Sequence, residues 1–219
     1  MFASWFTHPR RFGAILPAAL ALLGLGASAH AQTATYTFEA PVFTEGQTTP
    51  LINVAPNSGD AAFRASFTSA PTPDGFGILT VTPNPLFTGQ ALVAFFVPSD
   101  SLTIAFNSPV SDIGFVFAFG EDNSTLRATT ANGVVVFNGA PVGGDFQGGT
   151  ASLSGLSGVT SLTLSAFNAT GAPIDFAIDN LALTTAAPQG VIPEPGTLIL
   201  AGTALLPLAG TIRRRKARG

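Results

Sequence analysis

The chain has 219 residues, of which 46% are hydrophobic and only 10% are charged, and it contains 24 Gly, 17 Pro, 19 Phe and no Cys. An average soluble domain carries about 25% charged residues, so this chain is poor in charge. The absence of cysteine excludes a disulfide scaffold and a Cys-ligated metal site, and the composition disfavours a helical bundle. The length allows one ordinary domain together with processing segments.

Residues 1–31 have the three parts of a secretory signal peptide. A short basic region at residues 10–11 precedes an apolar run, and Ala29 and Ala31 supply the small side chains that a signal peptidase accepts. We therefore predict cleavage before Gln32. The alternative is a buried apolar helix or a permanent membrane anchor. Both His residues and the single Trp precede Gln32, so the mature chain would contain neither type.

The sequence pattern of residues 32–188 predicts a single all-β domain. Apolar side chains recur with period two, most clearly over residues 113–119, and no stretch before residue 197 has convincing helical periodicity. Asn132-Gly133 between two β-rich runs predicts a hairpin, and residues 107–110 are expected to separate two strands. About ten short strands at this spacing predict an antiparallel β-sandwich.

The last predicted strand changes phase. Ile178 lies on the face of the even-numbered residues, whereas Leu181 and Leu183 lie on the face of the odd-numbered ones. An extra residue in the strand would return both leucines to the core. We therefore predict a β-bulge near Asp179-Asn180.

Three further segments complete the chain. Residues 189–196 form a linker in which two prolines favour an extended backbone. Residues 197–212 carry no charge and as a helix would span about 24 Å, which makes a short transmembrane helix against a hydrocarbon core of about 30 Å. Residues 213–219 form a basic tail, which the positive-inside rule places in the cytoplasm. Its cations are Arg213, Arg214, Arg215, Lys216 and Arg218. The alternative is a buried apolar helix with a solvated tail.

Three elements follow one another at this end of the chain: a tripeptide (Pro193, Glu194 and Pro195), the apolar segment and the basic tail. This order resembles the PEP-CTERM sorting signal of Gram-negative bacteria, a segment also known as an ice-binding-protein C-terminal domain. The resemblance implies recognition by an exosortase, a membrane cysteine protease, and removal of the tail near the tripeptide. It also implies export, inner-membrane anchoring that is transient or permanent, and display at the cell surface or in the extracellular polysaccharide matrix.

A looser resemblance concerns the β domain. Residues 176–181 resemble the closing strand, and residues 36–39 the opening strand, of jelly-roll domains found in PEP-CTERM and carbohydrate-binding-like proteins. Such domains often carry one structural Ca²⁺ ion near these strands. The resemblance implies four candidate ligands: Glu39, Asp175, Asp179 and Asn180. The alternative is that Asp179-Asn180 serves only the bulge and that Glu39 is exposed.

The predicted mature domain lacks most of the groups that enzymes use. Without His, Cys or Lys between residues 32 and 190, it cannot build a catalytic triad, a cysteine nucleophile or a Schiff base. That stretch holds two Arg against eleven acids, a net charge of −9, which disfavours nucleic acid as a partner. Paired carboxylates would suffice for a glycoside hydrolase, although solvated surface charge is the preferred interpretation. The candidates are Glu39, Glu45, Glu121 and Asp122.

The sequence therefore favours a secreted, exosortase-sorted protein with a non-enzymatic structural or adhesive β-sandwich. The alternative is a carbohydrate-binding module, with or without calcium, and an anchored glycoside hydrolase is a third hypothesis. The expected partners are the membrane, signal peptidase and an exosortase, with extracellular polysaccharide added under the second hypothesis.

Overall fold

The computed structural model describes residues 31–81, 86–94, 100–143 and 146–185. These residues contain fourteen β-strands and no helix. The strands are β1 (Thr33–Tyr36), β2 (Leu51–Val54), β3 (Ser58–Gly59), β4 (Ala65–Ala70), β5 (Phe76–Thr80), β6 (Gln90–Ala94), β7 (Ser101–Phe119), β8 (Thr125–Thr130), β9 (Gly133–Asn138), β10 (Ala140–Gly143), β11 (Phe146–Leu153), β12 (Val159–Phe167), β13 (Pro173–Ile174) and β14 (Phe176–Thr185). Their pairings are antiparallel, which confirms the prediction of an all-β, antiparallel domain.

Most of the predicted sorting elements lie outside the described residues. These are residues 1–30 of the signal peptide, the linker with its Pro-Glu-Pro tripeptide, the apolar segment 197–212 and the basic tail. Within the ranges described above, no helix is long and apolar enough to span a membrane. The signal peptide, the membrane helix and the domain boundaries therefore stay predictions.

Strand β7 organises the sheet because its two halves have different neighbours. Its first half pairs with β4 and β12, and its second half pairs with β11 and β14. The predicted break at residues 107–110 is wrong, since β7 runs through it. At this point Asn107 forms hydrogen bonds with the backbone of Arg64 and Ala62, through its own backbone N–H and its side-chain amide. Pro109, which has no N–H to donate, therefore lies where β7 exchanges one pair of neighbours for the other.

Strand β14 contains the predicted bulge. It pairs with β6 at Ala177 and Ile178, and with β1 from Leu181 onward. Its register against β7 shifts between Asp179 and Ala182, and Asn180 has a positive φ of 51°. An Asn tolerates this left-handed conformation better than most residues, which explains why the extra residue fits here. The predicted bulge at Asp179-Asn180 is confirmed.

The opening strand is shorter than residues 36–39 suggested. Strand β1 ends at Tyr36, and Phe38 has a φ of 56°, which turns the chain away from the sheet. The ring of Phe38 is fully buried, so core packing keeps this residue in an uncommon conformation. As a result, Glu39 follows the turn and does not belong to the strand.

The hairpin between β8 and β9 is confirmed with a small shift. Thr130 pairs with Gly133, so the two loop residues are Ala131 and Asn132. Gly133 has a φ of 124°, a conformation that a side chain would strain. Glycine therefore serves as the first residue of β9.

Phenylalanine rings fill the main core, where alternate residues of β7 point inward. Around β1 and β4, the rings of Tyr36, Phe38, Phe43 and Phe67 meet largely edge to face, with centroids 5.1–6.5 Å apart. This is the favourable geometry for aromatic pairs. A second, smaller apolar cluster contains Phe87, Ala91, Ala118 and Ala177. The alternate residues of β7 and β14 thus contribute to two separate apolar clusters.

Candidate functional site

Two carboxylates meet beside the bulge of β14. The backbone N–H of Gln90 donates a hydrogen bond of 2.6 Å to Oε1 of Glu39. Asp179 is fully buried, and Asn180 donates to it through its backbone N–H (2.6 Å) and its side-chain amide (3.2 Å). Burial raises the pKa of Asp179 to about 6. The negative charge of Glu39 raises this pKa further, whereas the hydrogen bond from the Asn180 backbone lowers it. The two carboxylates are therefore electrostatically coupled.

Two neighbouring residues shape this carboxylate pair. Gly89 has a φ of 96°, and a Cβ built on it would lie 2.1 Å from Oε1 of Glu39. The Glu39 carboxylate therefore occupies space that only glycine leaves open. The side-chain Oε1 of Gln90 is buried and accepts no hydrogen bond. Carboxylate and amide oxygens are the ligands that Ca²⁺ prefers, so the residues present fit such an ion.

Asp175 does not join the other three calcium candidates. It lies four residues before Asp179, and the charge that acts on it is that of Glu121, whereas the charge that acts on Asp179 is that of Glu39. Burial raises its pKa, and the charge of Glu121 raises it further. Glu39, Asp179 and Asn180 therefore form one group, whereas Asp175 forms another with Glu121. No cluster of three or more His, Cys, Asp or Glu suited to a metal occurs within the described ranges.

Of the remaining carboxylates of the glycoside hydrolase hypothesis, Glu45 lies at the same end of the β5–β6 hairpin as Glu39. It is exposed and accepts one long hydrogen bond, 3.4 Å, from the backbone of Thr80. Thr80 pairs with Gln90, whose backbone N–H donates to Glu39. Glu121 accepts from the Asn168 amide (3.3 Å), and Asp122 accepts from the Gln147 amide (2.8 Å). Both acids thus contribute to the packing of the loop that follows β7. The coupling between Glu121 and Asp175 was missed because the two are distant in sequence.

A cavity of about 260 Å³ lies next to Asp175. Its wall is mostly apolar and includes the rings of Phe87, Phe119 and Phe146, and Asp175 is the one charged residue among the described residues that line it. The large apolar side chains exposed elsewhere in the described chain are aliphatic: Ile52, Val134, Val135 and Val136. Aromatic rings thus line this cavity and the core and do not form an exposed platform within the described residues.

Sequence reasoning also missed Gln90 as a neighbour of Glu39. A single glutamine carries no pattern, and its position opposite the bulge follows only from the pairing of β6 with β14. The one signal available was the adjacent Gly89, which a sequence alone assigns to an ordinary turn.

Comparison with protein families identifies the C-terminal segment. The family model described as the PEP-CTERM protein-sorting motif matches residues 191–216. The predicted sorting signal is therefore confirmed, and it marks the chain as a secreted, envelope-sorted protein. A search of curated proteins returned no match.

Several solved structures resemble the β domain distantly. The K2 cleaved adhesin domain of Lys-gingipain has a TM-score of 0.41 at 14% identity, covering 70% of this chain and 98% of that one. A family 29 carbohydrate-binding module has a TM-score of 0.35 at 10% identity, covering 72% and 94%. The C-terminal family 22 module of Clostridium thermocellum Xyn10B has a TM-score of 0.32 at 16% identity, covering 57% and 87%.

Proposed function

We propose that the protein is an exosortase substrate exported to the cell surface or the exopolysaccharide matrix, where its β domain acts as a non-enzymatic structural or adhesive module. The PEP-CTERM motif at residues 191–216 carries this proposal. Within it, the Pro-Glu-Pro tripeptide, the apolar segment and the basic tail follow one another in the order that membrane anchoring requires. The domain preceding it would then face the exterior.

The chemistry of the domain supports a structural role. Its two arginines are engaged within the fold: Nη1 of Arg64 donates to the carbonyl groups of Ala61 and Phe63, and the Arg127 guanidinium lies 4.4 Å from the centroid of the Phe167 ring. Neither arginine is directed toward a carboxylate to form an acid–base pair. The domain therefore presents acids and hydroxyls without the nucleophiles and bases of most hydrolases.

We further propose that the strand groups on the two halves of β7 stack as the layers of a β-sandwich. In β12, Leu162, Leu164 and Ala166 are buried while the alternate residues are more exposed. In β7, Phe115 and Phe117 are buried in the same core. Two sheets that share one apolar core satisfy both patterns.

The sorting proposal is tested in cells that carry an exosortase. Deletion of residues 197–219 removes the anchor, so the protein should be released to the medium or stall during export. A matched control replaces Glu45 with Gln and leaves the motif intact. Cell fractionation with immunoblotting measures where the truncated chain and the control variant are found. Retention of the truncated chain at the membrane, as in the wild type, would contradict the proposal.

A structural Ca²⁺ ion held by Glu39, Asp179 and Asn180, with Gln90 beside them, is part of the proposal. The orphaned Gln90 oxygen is the observation that favours it. When bound, the ion would neutralise the carboxylate pair and pin β14 to the turn after β1. Millimolar calcium should raise the melting temperature of the chelator-treated full-length chain. Asp179→Asn should abolish most of that rise, whereas Asp122→Asn, in the loop after β7, should not. An unchanged midpoint would remove the ion from the proposal.

Carbohydrate binding is the second candidate function, and the cavity beside Asp175 favours it. Pockets that hold small ligands combine apolar walls with a few polar groups, and a carboxylate can accept hydroxyl hydrogen bonds. A glycan array probed with the full-length chain separates the candidates. Binding that Asp175→Asn abolishes supports the second. If no glycan on the array binds the chain, with or without calcium, the structural role is the one supported. Turnover of a glycan that Glu39→Gln or Glu121→Gln abolishes would overturn both.

A further inference from the structure

Asp100 is buried without the partners that a carboxylate needs. It precedes β7 and is 3% exposed. Its Oδ1 accepts one long hydrogen bond, 3.3 Å, from the backbone N–H of Thr72, and its Oδ2 has no partner. A buried carboxylate that few donors contact is unfavourable unless a cation or further donors compensate it. Among the described residues, both arginines have other contacts, so neither compensates Asp100.

The turn over residues 71–75 supplies further oxygen atoms next to Asp100. A Cβ built on Gly75 would lie 1.8 Å from Asp100 Oδ2 and 3.1 Å from the carbonyl oxygen of Thr72, so these two oxygens are at most about 4.9 Å apart. Two oxygens bound to one Ca²⁺ ion, at about 2.3–2.6 Å each, lie no more than about 5 Å apart. This pair of oxygens meets that limit, which is the first condition for sharing an ion. The missing side chain of Gly75 creates the room for the carboxylate.

Hydrogen bonds hold this turn in place. The Gly75 backbone N–H donates to Thr72 O (3.1 Å) and to Ser69 Oγ (2.9 Å), and Thr49 Oγ1 donates to Pro73 O (2.7 Å). The single hydroxyl proton of Ser69 is within hydrogen-bond reach of the carbonyl groups of Thr72 and Pro73. The carbonyl oxygen of Thr72 is thus oriented before any ligand arrives. Asp74 lies on the same turn, is exposed and provides a second carboxylate.

We propose that Asp100, the Thr72 carbonyl and Asp74 form a Ca²⁺ site separate from Glu39 and Asp179. The donors are hard carboxylate and carbonyl oxygens with irregular spacing along the chain. Ca²⁺ accepts six to eight such ligands in flexible geometry, whereas Mg²⁺ requires near-ideal octahedral geometry. With few protein ligands, the site should bind in the range of extracellular calcium modules, a Kd of about 10⁻⁴–10⁻³ M. Its ion would join the β4–β5 turn to the start of β7.

The test is calcium binding by the full-length chain, purified in detergent and stripped with a chelator. Isothermal titration calorimetry with CaCl₂ and with MgCl₂ is compared for the wild type, Asp100→Asn and Asp179→Asn. We expect Asp100→Asn to weaken one calcium site at least tenfold and Asp179→Asn to retain that site. In chelator, Asp100→Asn should melt no lower than the wild type, because it removes an uncompensated charge.

Three outcomes would overturn the proposal: a wild type without calcium binding, an Asp100→Asn variant that binds as the wild type does, and equal binding of magnesium. If Asp100→Asn does not fold, Gly75→Ala serves instead. Its Cβ displaces the Asp100 carboxylate and should remove the same site, and unchanged calcium binding in that variant would also overturn the proposal. The sorting assay is independent of every one of these results.

Discussion

The two buried aspartates of the domain differ in how the fold treats them. Asp179 is held by the neighbouring Asn180 and coupled to Glu39, whereas Asp100 has one long hydrogen bond and an oxygen without a partner. In both places a glycine makes room for a carboxylate: Gly89 for Glu39 and Gly75 for Asp100. The comparison shows that the fold supplies local donors to one buried acid and leaves the other with almost none.

The largest expected effect concerns the pH dependence of Asp179 in chelator. Its folded pKa of about 6 lies above the unfolded value of about 3.9, so the folded protein binds this proton more tightly than the unfolded chain does. The resulting stability is fully present below about pH 4 and is lost as the pH rises through 6, by up to about 3 kcal/mol. Urea unfolding from pH 4 to 7 measures it. The difference between the wild type and Asp179→Asn should follow this curve, and a flat difference would contradict it.

A smaller effect is expected for Gly89→Ala, about 2 kcal/mol of destabilisation. Alanine is strained at a φ of 96°, and its Cβ would displace Glu39 from the Gln90 N–H. A double-mutant cycle with Glu39→Ala separates the two causes, since only the backbone strain should persist in that background. If the full cost remains without Glu39, the carboxylate has no close packing against this glycine.

The smallest effect, about 1 kcal/mol, is expected for Asn180→Ala. The substitution places a less tolerant residue at a φ of 51° and removes the amide that donates to Asp179. Asn180→Gly should cost less than Asn180→Ala because glycine adopts this conformation without strain. Chemical denaturation of the wild type, Asn180→Ala and Asn180→Gly measures the order of their free energies of unfolding. Equal stability of the Ala and Gly variants would show that the bulge does not require a left-handed residue.

The sequence predicted those features that depend on local pattern. The change of phase between Ile178 and Leu181 located the bulge, and the alternation in residues 113–119 located the central strand. It could not predict that Asp175 is coupled to Glu121, because a looser resemblance names residue types without distances. Asp100 was also missed, since a lone aspartate next to a turn resembles solvated surface charge. Its burial depends on Gly75, which the chain brings to it from 25 residues away.

The break predicted at residues 107–110 shows the opposite error. Asn, Ser and Pro together favour a turn when considered locally. In the fold, Asn107 obtains its hydrogen bonds from residues 62–64, and Val110 pairs with both Val159 and Thr185. Long-range pairing thus overrides a local preference at the point where β7 changes neighbours.

The pairing of β1 with β14 has a consequence for the order of events during secretion. Thr33 lies opposite Thr184, so the first strand obtains its partner only from the last. Strand β7 likewise pairs with three strands that follow it in the chain, β11, β12 and β14. A chain that crosses the membrane from its N-terminus therefore cannot close this domain until residue 185 has emerged, and the sorting motif follows from residue 191. The topology thus makes the pairing of β1 with β14 one of the last steps of folding, shortly before the sorting motif emerges.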